Sequence, residues 1–223
     1  MAIKYYGSIP AKDLNLPNRV EEPPQLAARR LTMESKQVGQ ASWSRRYRAP
    51  SYRYGETKHA FALQVLNEII GGGTTSRLYQ SLVVDQSLAV AAGSWYRAES
   101  IGPSVFGFYA SPQEGVSMER LERGIDREIR LVLRDGVTKD EVRAAITRLQ
   151  RTAIFAKDSV TAPARIIGSA LASGRSVHDI ENWPDKISKV SKDDVVVAAE
   201  WVFRITRSLT ATLLPTSVTQ RKP

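Results

Sequence analysis

The hydrophobic and polar positions between residues 26 and 49 alternate one by one, which is typical of strands with one buried face. Side chains along a strand point to opposite faces in turn. One face of the second alternating segment therefore carries four side chains: Trp43, Arg45, Tyr47 and Ala49. The pattern predicts two strands in this part of the chain.

Helical spacing begins at residue 56, where apolar residues recur every three or four positions as far as Ile70. Gly71-Gly72-Gly73 follows and predicts the end of this helix, because glycine favours the backbone conformations that stop one. Further along, the pattern predicts a short helix over residues 76–85. Two apolar runs, at 88–92 and 105–110, then predict a pair of antiparallel strands.

The C-terminal half of the sequence indicates helices followed by one strand. A helical stripe runs from Met118 to a stop at Gly136, and another helix is predicted between Pro163 and Gly174. Thr138-Lys139-Asp140-Glu141 has the spacing of a capping box, and Ser191-Lys192-Asp193-Asp194 is a similar cap. Each predicts the start of a helix. The last alternating run predicts a strand at 209–214.

Strands and helices are grouped along the chain rather than alternating singly. This favours an α+β fold: a two-layer sandwich of a mixed or antiparallel sheet with helices on one face. Because both ends of residues 26–223 carry predicted strands, we expect this range to form one domain. Residues 1–25 contain four prolines and are expected to form an extended linker that something normally precedes.

The composition excludes several kinds of catalytic site. The chain has no cysteine, and therefore no disulfide, thiolate nucleophile or cysteine-bound metal. It has two histidines, His59 and His178, whereas catalytic zinc usually takes about three protein ligands. The stretch His178–Asn182 lacks the second histidine of H-x-x-E-H and is expected to be a polar turn. No apolar run reaches the roughly 18 residues of a membrane span.

The chain carries a net charge of +9, spread along its length. Arg45-Arg46-Tyr47-Arg48 and Tyr52-Arg53-Tyr54 mix cations with aromatic rings, a combination that can bind nucleic acid. Strand alternation, with the arginines facing solvent or an interface, explains the same pattern and is favoured. A basic nucleic-acid-binding module stays as the less favoured alternative.

Residues 66–82, LNEIIGGGTTSRLYQSL, resemble the insulinase/pitrilysin family of zinc peptidases, which includes mitochondrial processing peptidase. The similarity is to the second, zinc-free half of the family's repeated pair of domains. There an apolar helix, a glycine turn and S-R-L-[FY] follow one another. Residues 135–142 are similar to the family's D-G-[VP]-T-x-x-E-[LV] helix junction, and residues 4–10 to the end of the preceding half and its linker.

The resemblance implies that each half is an α+β sandwich and that the first half carries H-x-x-E-H with a further glutamate ligand. Zinc is then expected in the missing N-terminal half, with no cofactor in this chain. The second half would close over the first like a clam shell, around a chamber that takes unfolded peptides. This chain alone is expected to be inactive and to contribute chamber wall and subunit contact. The candidate chamber residues are Gly72, Gly73, Thr74, Arg77, Val83 and Val90.

One departure from the family pattern concerns substrate contact. Many second halves carry L-R-x-x-x-x-L-x-Y, whose Arg and Tyr contact the peptide; here Val83 and Val90 stand at those positions. In two-subunit members, the zinc-bearing chain can lack this pair while a homologous zinc-free partner supplies it. The valines therefore favour the back half of a zinc subunit that works with an Arg/Tyr-bearing partner. We expect Val90, within an apolar run, to be buried.

The same resemblance covers relatives that have lost peptidase activity, such as the core proteins of respiratory complex III. A structural subunit is therefore the main alternative to a peptidase half. Similar bacterial proteins leave both the bacterial periplasm and the cytoplasm open as locations.

Overall fold

The computed structural model describes residues 2–10, 23 and 25–216. Its first layer is a five-stranded sheet with the strand order β1-β5-β2-β4-β3. β1 runs parallel to β5 and the other neighbours are antiparallel, so the sheet is mixed. The strands are β1 (Arg29–Ser35), β2 (Ser42–Ala49), β3 (Ala89–Tyr96), β4 (Ser104–Pro112) and β5 (Ser208–Pro215).

The second layer is helical and confirms the predicted α+β class. The helices are α1 (Ala2–Tyr6), α2 (Ala60–Gly71), α3 (Arg77–Tyr79), α4 (Met118–Asp135), α5 (Lys139–Lys157), α6 (Ala162–Ala172), α7 (Val177–Glu181), α8 (Trp183–Ser188) and α9 (Lys192–Val202). A π-helical segment, Gln80–Asp85, continues α3, and 3-10 turns span Thr57–His59 and Ile205–Arg207. Capping boxes start α5 at Thr138 and α9 at Ser191, as the spacing predicts.

The core lies between the sheet and the helices α2, α4 and α9, which contact β3, β4 and β2 respectively. The face of β2 predicted to be buried is buried, and Trp43 and Tyr47 lie on it. Phe203, which follows α9, packs from the helix layer against Tyr47 and against Phe106 of β4: its ring centroid is 5.4 Å from that of Tyr47 and 5.1 Å from that of Phe106. Aromatic packing of this kind adds to the free energy of burial.

The first and last strands, β1 and β5, are neighbours in the sheet. β5 lies between β1 and β2, so that Thr210 is opposite Arg30 on one side and Arg45 on the other. Of the expected linker, residue 1, residues 11–22 and residue 24 lie outside the described residues. Residues 2–10 contain the short helix α1, whose described side chains are exposed.

Arg45 corrects the expectation that the arginines of β2 face solvent or an interface. Only 2% of its surface is exposed, on the helix-covered side of the sheet. Its Nε donates to Thr210 Oγ1 at 2.9 Å, and its terminal nitrogens donate to Asp126 and Glu122 of α4. A buried charge requires such partners, and distant parts of the chain supply them.

Arg30 of β1 joins the same cluster, which we call the Arg45 cluster (Arg30, Arg45, Glu122, Asp126 and Thr210). It holds Glu122 through two hydrogen bonds of 2.6 and 2.7 Å. Hydrogen bonding from Arg30 lowers the pKa of the Glu122 carboxyl, and the charge of Arg45 acts in the same direction; burial opposes both. The ionised carboxylate is therefore the form that the folded protein stabilises.

We expect Glu122→Gln to lower the free energy of unfolding at pH 7 by about 2 kcal/mol, because it removes an anion from a buried guanidinium. A carboxyl whose pKa is lowered by folding stabilises the protein above its unfolded pKa, near 4.5, and loses that contribution as the pH falls through the folded pKa. Urea melts between pH 7 and pH 3 should therefore show a smaller fall in stability for the variant than for the parent. Glu114→Gln, at an exposed carboxyl, is the control. Equal pH dependence in parent and variant would contradict the role given to the cluster.

Gly71 is required by the packing of α2 on the sheet. A Cβ atom there would lie 2.7 Å from the carbonyl carbon of Gly93 and would also overlap the backbone nitrogen of Ser94. Both atoms belong to the backbone of β3, which its pairing with β4 holds in place, so a methyl group would push the helix off the strand. The sequence predicts a helix stop here, but not this close contact.

Gly71→Ala should lower the free energy of unfolding by about 1–3 kcal/mol through this overlap. Gly168→Ala is the matched control, since Gly168 lies exposed inside α6 with no atom within 4 Å of its added Cβ. That variant should be about 0.5–1 kcal/mol more stable than the parent, because alanine is the better helix former. Thermal melts of both variants provide the measurement, and a Gly71→Ala protein as stable as the control would refute the close-contact argument.

Candidate functional site

The glycine turn after α2 places three of the candidate chamber residues at the surface. Gly72, Gly73 and Thr74 are exposed, and Gly73 adopts φ +132°, which an L side chain rarely accepts. The turn is held by its own hydrogen bonds. Ser76 Oγ donates to the Gly73 carbonyl at 2.6 Å, and Gln80 Nε2 donates to the Thr74 carbonyl at 2.6 Å.

Arg77 begins the helix that follows, and its side chain is held within the protein. Its guanidinium makes two hydrogen bonds to the Glu141 carboxylate, at 2.7 and 2.8 Å, and a third to the Gly136 carbonyl at 3.2 Å. Burial alone would raise the pKa of the Glu141 carboxyl, but hydrogen bonds from Arg77 and from the Thr138 backbone outweigh it and lower that pKa. The pair ties α3 to the start of α5.

The structure thereby joins the two sequence segments that carry the strongest family pattern, S-R-L and D-G-V-T-x-x-E. Sequence reasoning assigned Glu141 a capping role, which the structure confirms, and missed its second role as the partner of Arg77. The available sequence signal was that one motif carries a cation and the other a carboxylate. The 64 residues between Arg77 and Glu141 gave no reason to pair the two side chains.

Val83 and Val90 have different environments. Val83 is half-buried in the π-helical segment and packs against the core. Val90 is 46% exposed, so the expectation that it is buried is wrong. The physical reason is a bulge in β3 between Ala89 and Ala91, which breaks the alternation of the strand at that residue. β3 is also an edge strand of the sheet.

Within the described ranges, no group of three or more His, Asp or Glu side chains is placed to hold a metal ion. His59 is buried beside Trp201, with ring centroids 5.8 Å apart, and burial lowers the pKa of its imidazole. His178 is exposed on α7. The described donor set therefore does not fit a zinc ion. In the same ranges, no helix is long and apolar enough to cross a bilayer.

The basic and aromatic residues that suggested a nucleic-acid surface make internal contacts. Arg46 lies over the ring of Trp95 and Arg48 over that of Tyr54, each at 5.8 Å from the ring centroid. Arg53 donates to the Gly174 carbonyl. Together with the buried Arg45, these contacts explain the mixture of arginine and aromatic side chains by packing of the sheet and its neighbouring loops.

Residues 1–149 match the family model described as the peptidase M16 inactive domain. The chain is 28% identical over 150 residues to an uncharacterized zinc protease of Rickettsia felis and 28% identical over 143 residues to one of Streptomyces coelicolor. These matches cover 67% and 64% of this chain, but 36% and 31% of the two relatives. The chain thus spans about a third of the length of these curated relatives.

Solved structures show the same fold. A protease from Helicobacter pylori superposes with a TM-score of 0.85 and 22% identity, over 96% of this chain and 50% of that one. A peptidase M16 inactive domain from Pseudomonas fluorescens superposes with a TM-score of 0.72 and 16% identity, over 90% and 46%. The family match over residues 1–149 confirms the resemblance drawn from the glycine turn and the S-R-L motif. The chain belongs to the family of the peptidase M16 inactive domain.

Proposed function

We propose that this chain is the non-catalytic closing half of a zinc metalloendopeptidase that processes unfolded peptides in a chamber between two halves. The observation that carries the proposal is the match of residues 1–149 to an inactive peptidase domain. In agreement with it, the fold of this chain corresponds to half of the Helicobacter pylori protease. Zinc would be held by an N-terminal half of the same protein, where it would activate the attacking water. The described residues of this chain form no group that could hold a metal ion, so we assign that step to the other half.

The glycine turn is the part of this half that we assign to the chamber wall. Gly72, Gly73 and Thr74 are exposed and carry little side chain, so the turn offers mainly backbone groups to a passing peptide. Arg77, held by Glu141, would fix the position of the turn relative to α5. Arg77 would therefore contribute to the shape of the chamber wall and would not contact the substrate directly.

Val83 and Val90 support a division of labour between two homologous subunits. A valine offers neither a charge nor a hydrogen-bond donor to a peptide. This half would therefore contribute little polar substrate binding at the two positions. An arginine and a tyrosine on a partner chain would supply it.

The isolated chain should show no zinc-dependent cleavage of an unfolded peptide, because its described residues lack a zinc ligand set. When it is mixed with the half that carries H-x-x-E-H and with the Arg/Tyr-bearing partner chain, cleavage should appear and should be abolished by a chelator. The same mixture without this chain is the control. Cleavage by this chain alone that is lost with chelator and regained with zinc would contradict the proposal. A stable assembly without cleavage would favour the structural subunit instead.

In that assembly, Val90→Ala should change the free energy of unfolding by less than about 0.5 kcal/mol, since the side chain is exposed. Val83→Ala should cost about 1 kcal/mol, because its side chain packs partly on the core. Neither variant should lower kcat/KM by more than about twofold, a change of under 0.5 kcal/mol in transition-state binding.

Leu82→Ala, at a fully buried neighbour, is the control for destabilisation and should cost about 2–5 kcal/mol. Melting temperature and peptide hydrolysis are measured on the same samples. A valine variant that keeps its melting temperature and loses most of its activity would refute the division of labour.

A further inference from the structure

A cavity lies between the end of β3 and the helices α5, α6, α7 and α8. Its volume is about 780 Å³, within the range of small-molecule sites. Apolar side chains form much of its wall, among them Ala153, Ala156, Ile166 and Ile180. None of the family motifs discussed above contributes to it.

Tyr52 places an unused donor at this cavity. Its hydroxyl oxygen accepts hydrogen bonds from Gln64 Nε2 at 2.7 Å and from Trp183 Nε1 at 3.1 Å. Among the described residues, nothing accepts the hydrogen of that hydroxyl. Burial raises the pKa of Tyr52 to about 12, so the hydroxyl keeps its proton at neutral pH and can donate it.

Arg175 provides a buried cation beside the same tyrosine. It is 8% exposed, and its guanidinium carbon lies 4.1 Å from the centroid of the Tyr52 ring. It donates to Glu99 Oε1 at 3.2 Å and to the Asp179 carbonyl at 3.0 Å. A guanidinium has five N–H donors, so three have no acceptor within the described part of the chain.

The pairing with Glu99 leaves room for another anion. Its 3.2 Å contact is longer than the roughly 2.7–2.9 Å of a strong charge-assisted hydrogen bond, and the Glu99 side chain is 41% exposed. Three cations line the cavity, Arg97, Lys157 and Arg175, against two carboxylates, Glu99 and Glu181. The balance is positive, and the donors without an acceptor belong to half-buried Tyr52 and buried Arg175.

We propose that this cavity binds an apolar molecule through a carboxylate, which accepts hydrogen bonds from Arg175 and from the Tyr52 hydroxyl while its hydrocarbon part lies against the apolar wall. Two sources present this chemistry: the free C-terminus of a peptide that ends in apolar residues, and a free aliphatic acid. The site goes beyond the proposed peptidase role and does not depend on it, since neither zinc nor a second half takes part.

Two pairs of probes test the site on the full chain by titration calorimetry at low ionic strength. One pair is N-acetyl-Ala-Leu-Phe with a free carboxylate and the same peptide as its C-terminal amide; the other is octanoate and octan-1-ol. In at least one pair the carboxylate should bind about tenfold or more tightly than its neutral counterpart. The pair that shows the preference identifies the source. Equal affinities in both pairs, or no binding at about 1 mM, would overturn the proposal.

Variants connect binding to the cavity. Ala153→Phe fills it without removing a hydrogen bond and should weaken the tighter carboxylate by about tenfold or more. Ala164→Phe makes the same change at an exposed position of α6 outside the cavity lining and should leave the affinity within about twofold. Arg175→Lys keeps the positive charge but loses the planar guanidinium, whose paired N–H groups can bind both oxygens of a carboxylate. It should therefore reduce the preference for the carboxylate over the neutral probe. Unchanged binding by a folded Ala153→Phe protein would refute the site.

Discussion

The guanidinium of Arg45 is the group on which the arrangement of the fold depends. A charge this deeply buried is costly unless hydrogen-bonded anions surround it. Its partners come from α4, 77 and 81 residues further along the chain, and from β5, 165 residues away. Removing β5 would take away Thr210, and shifting α4 would take away both carboxylates and leave the cation without an anion in a low-dielectric interior. The Arg45 cluster therefore selects one arrangement of sheet and helix among the many that an apolar core alone would tolerate.

The backbone of the sheet likewise depends on one distant element, β5, which lies between β1 and β2. Without it, β1 has no neighbour in the sheet and β2 has an unpaired edge. The pairing of Arg29 with Leu209 closes a loop of nearly the whole described chain, and contacts of such high sequence separation form late and slowly. The Arg45 cluster is completed by the same strand, since Thr210 accepts from Arg45 Nε. Backbone pairing and charge pairing thus become satisfied together, which makes the sheet cooperative.

Much of the fold could be predicted from the sequence because its signals are local. The strand alternation around Trp43, the helical stripe before Gly71 and the capping box at Thr138 each depend on residues within a few positions. The environment of Arg45 could not be predicted, because alternation places it on the buried face while its charge suggests solvent. Only partners far along the sequence resolve that conflict. The exposure of Val90 depends on a bulge that an apolar run does not reveal. The parallel pairing of β1 with β5 is equally non-local.

Arg77 shows why a family motif need not mark a substrate contact. A peptide that bound its guanidinium would have to displace Glu141, which holds it through two hydrogen bonds. The same carboxylate also accepts from the Thr138 backbone at 2.7 Å, so its release would uncap α5 as well. Each charge-assisted hydrogen bond contributes about 1.5–3 kcal/mol, more than one exposed peptide contact would return. We therefore infer that Arg77 fixes the glycine turn in place and that Gly72, Gly73 and Thr74 form the surface which a peptide could reach.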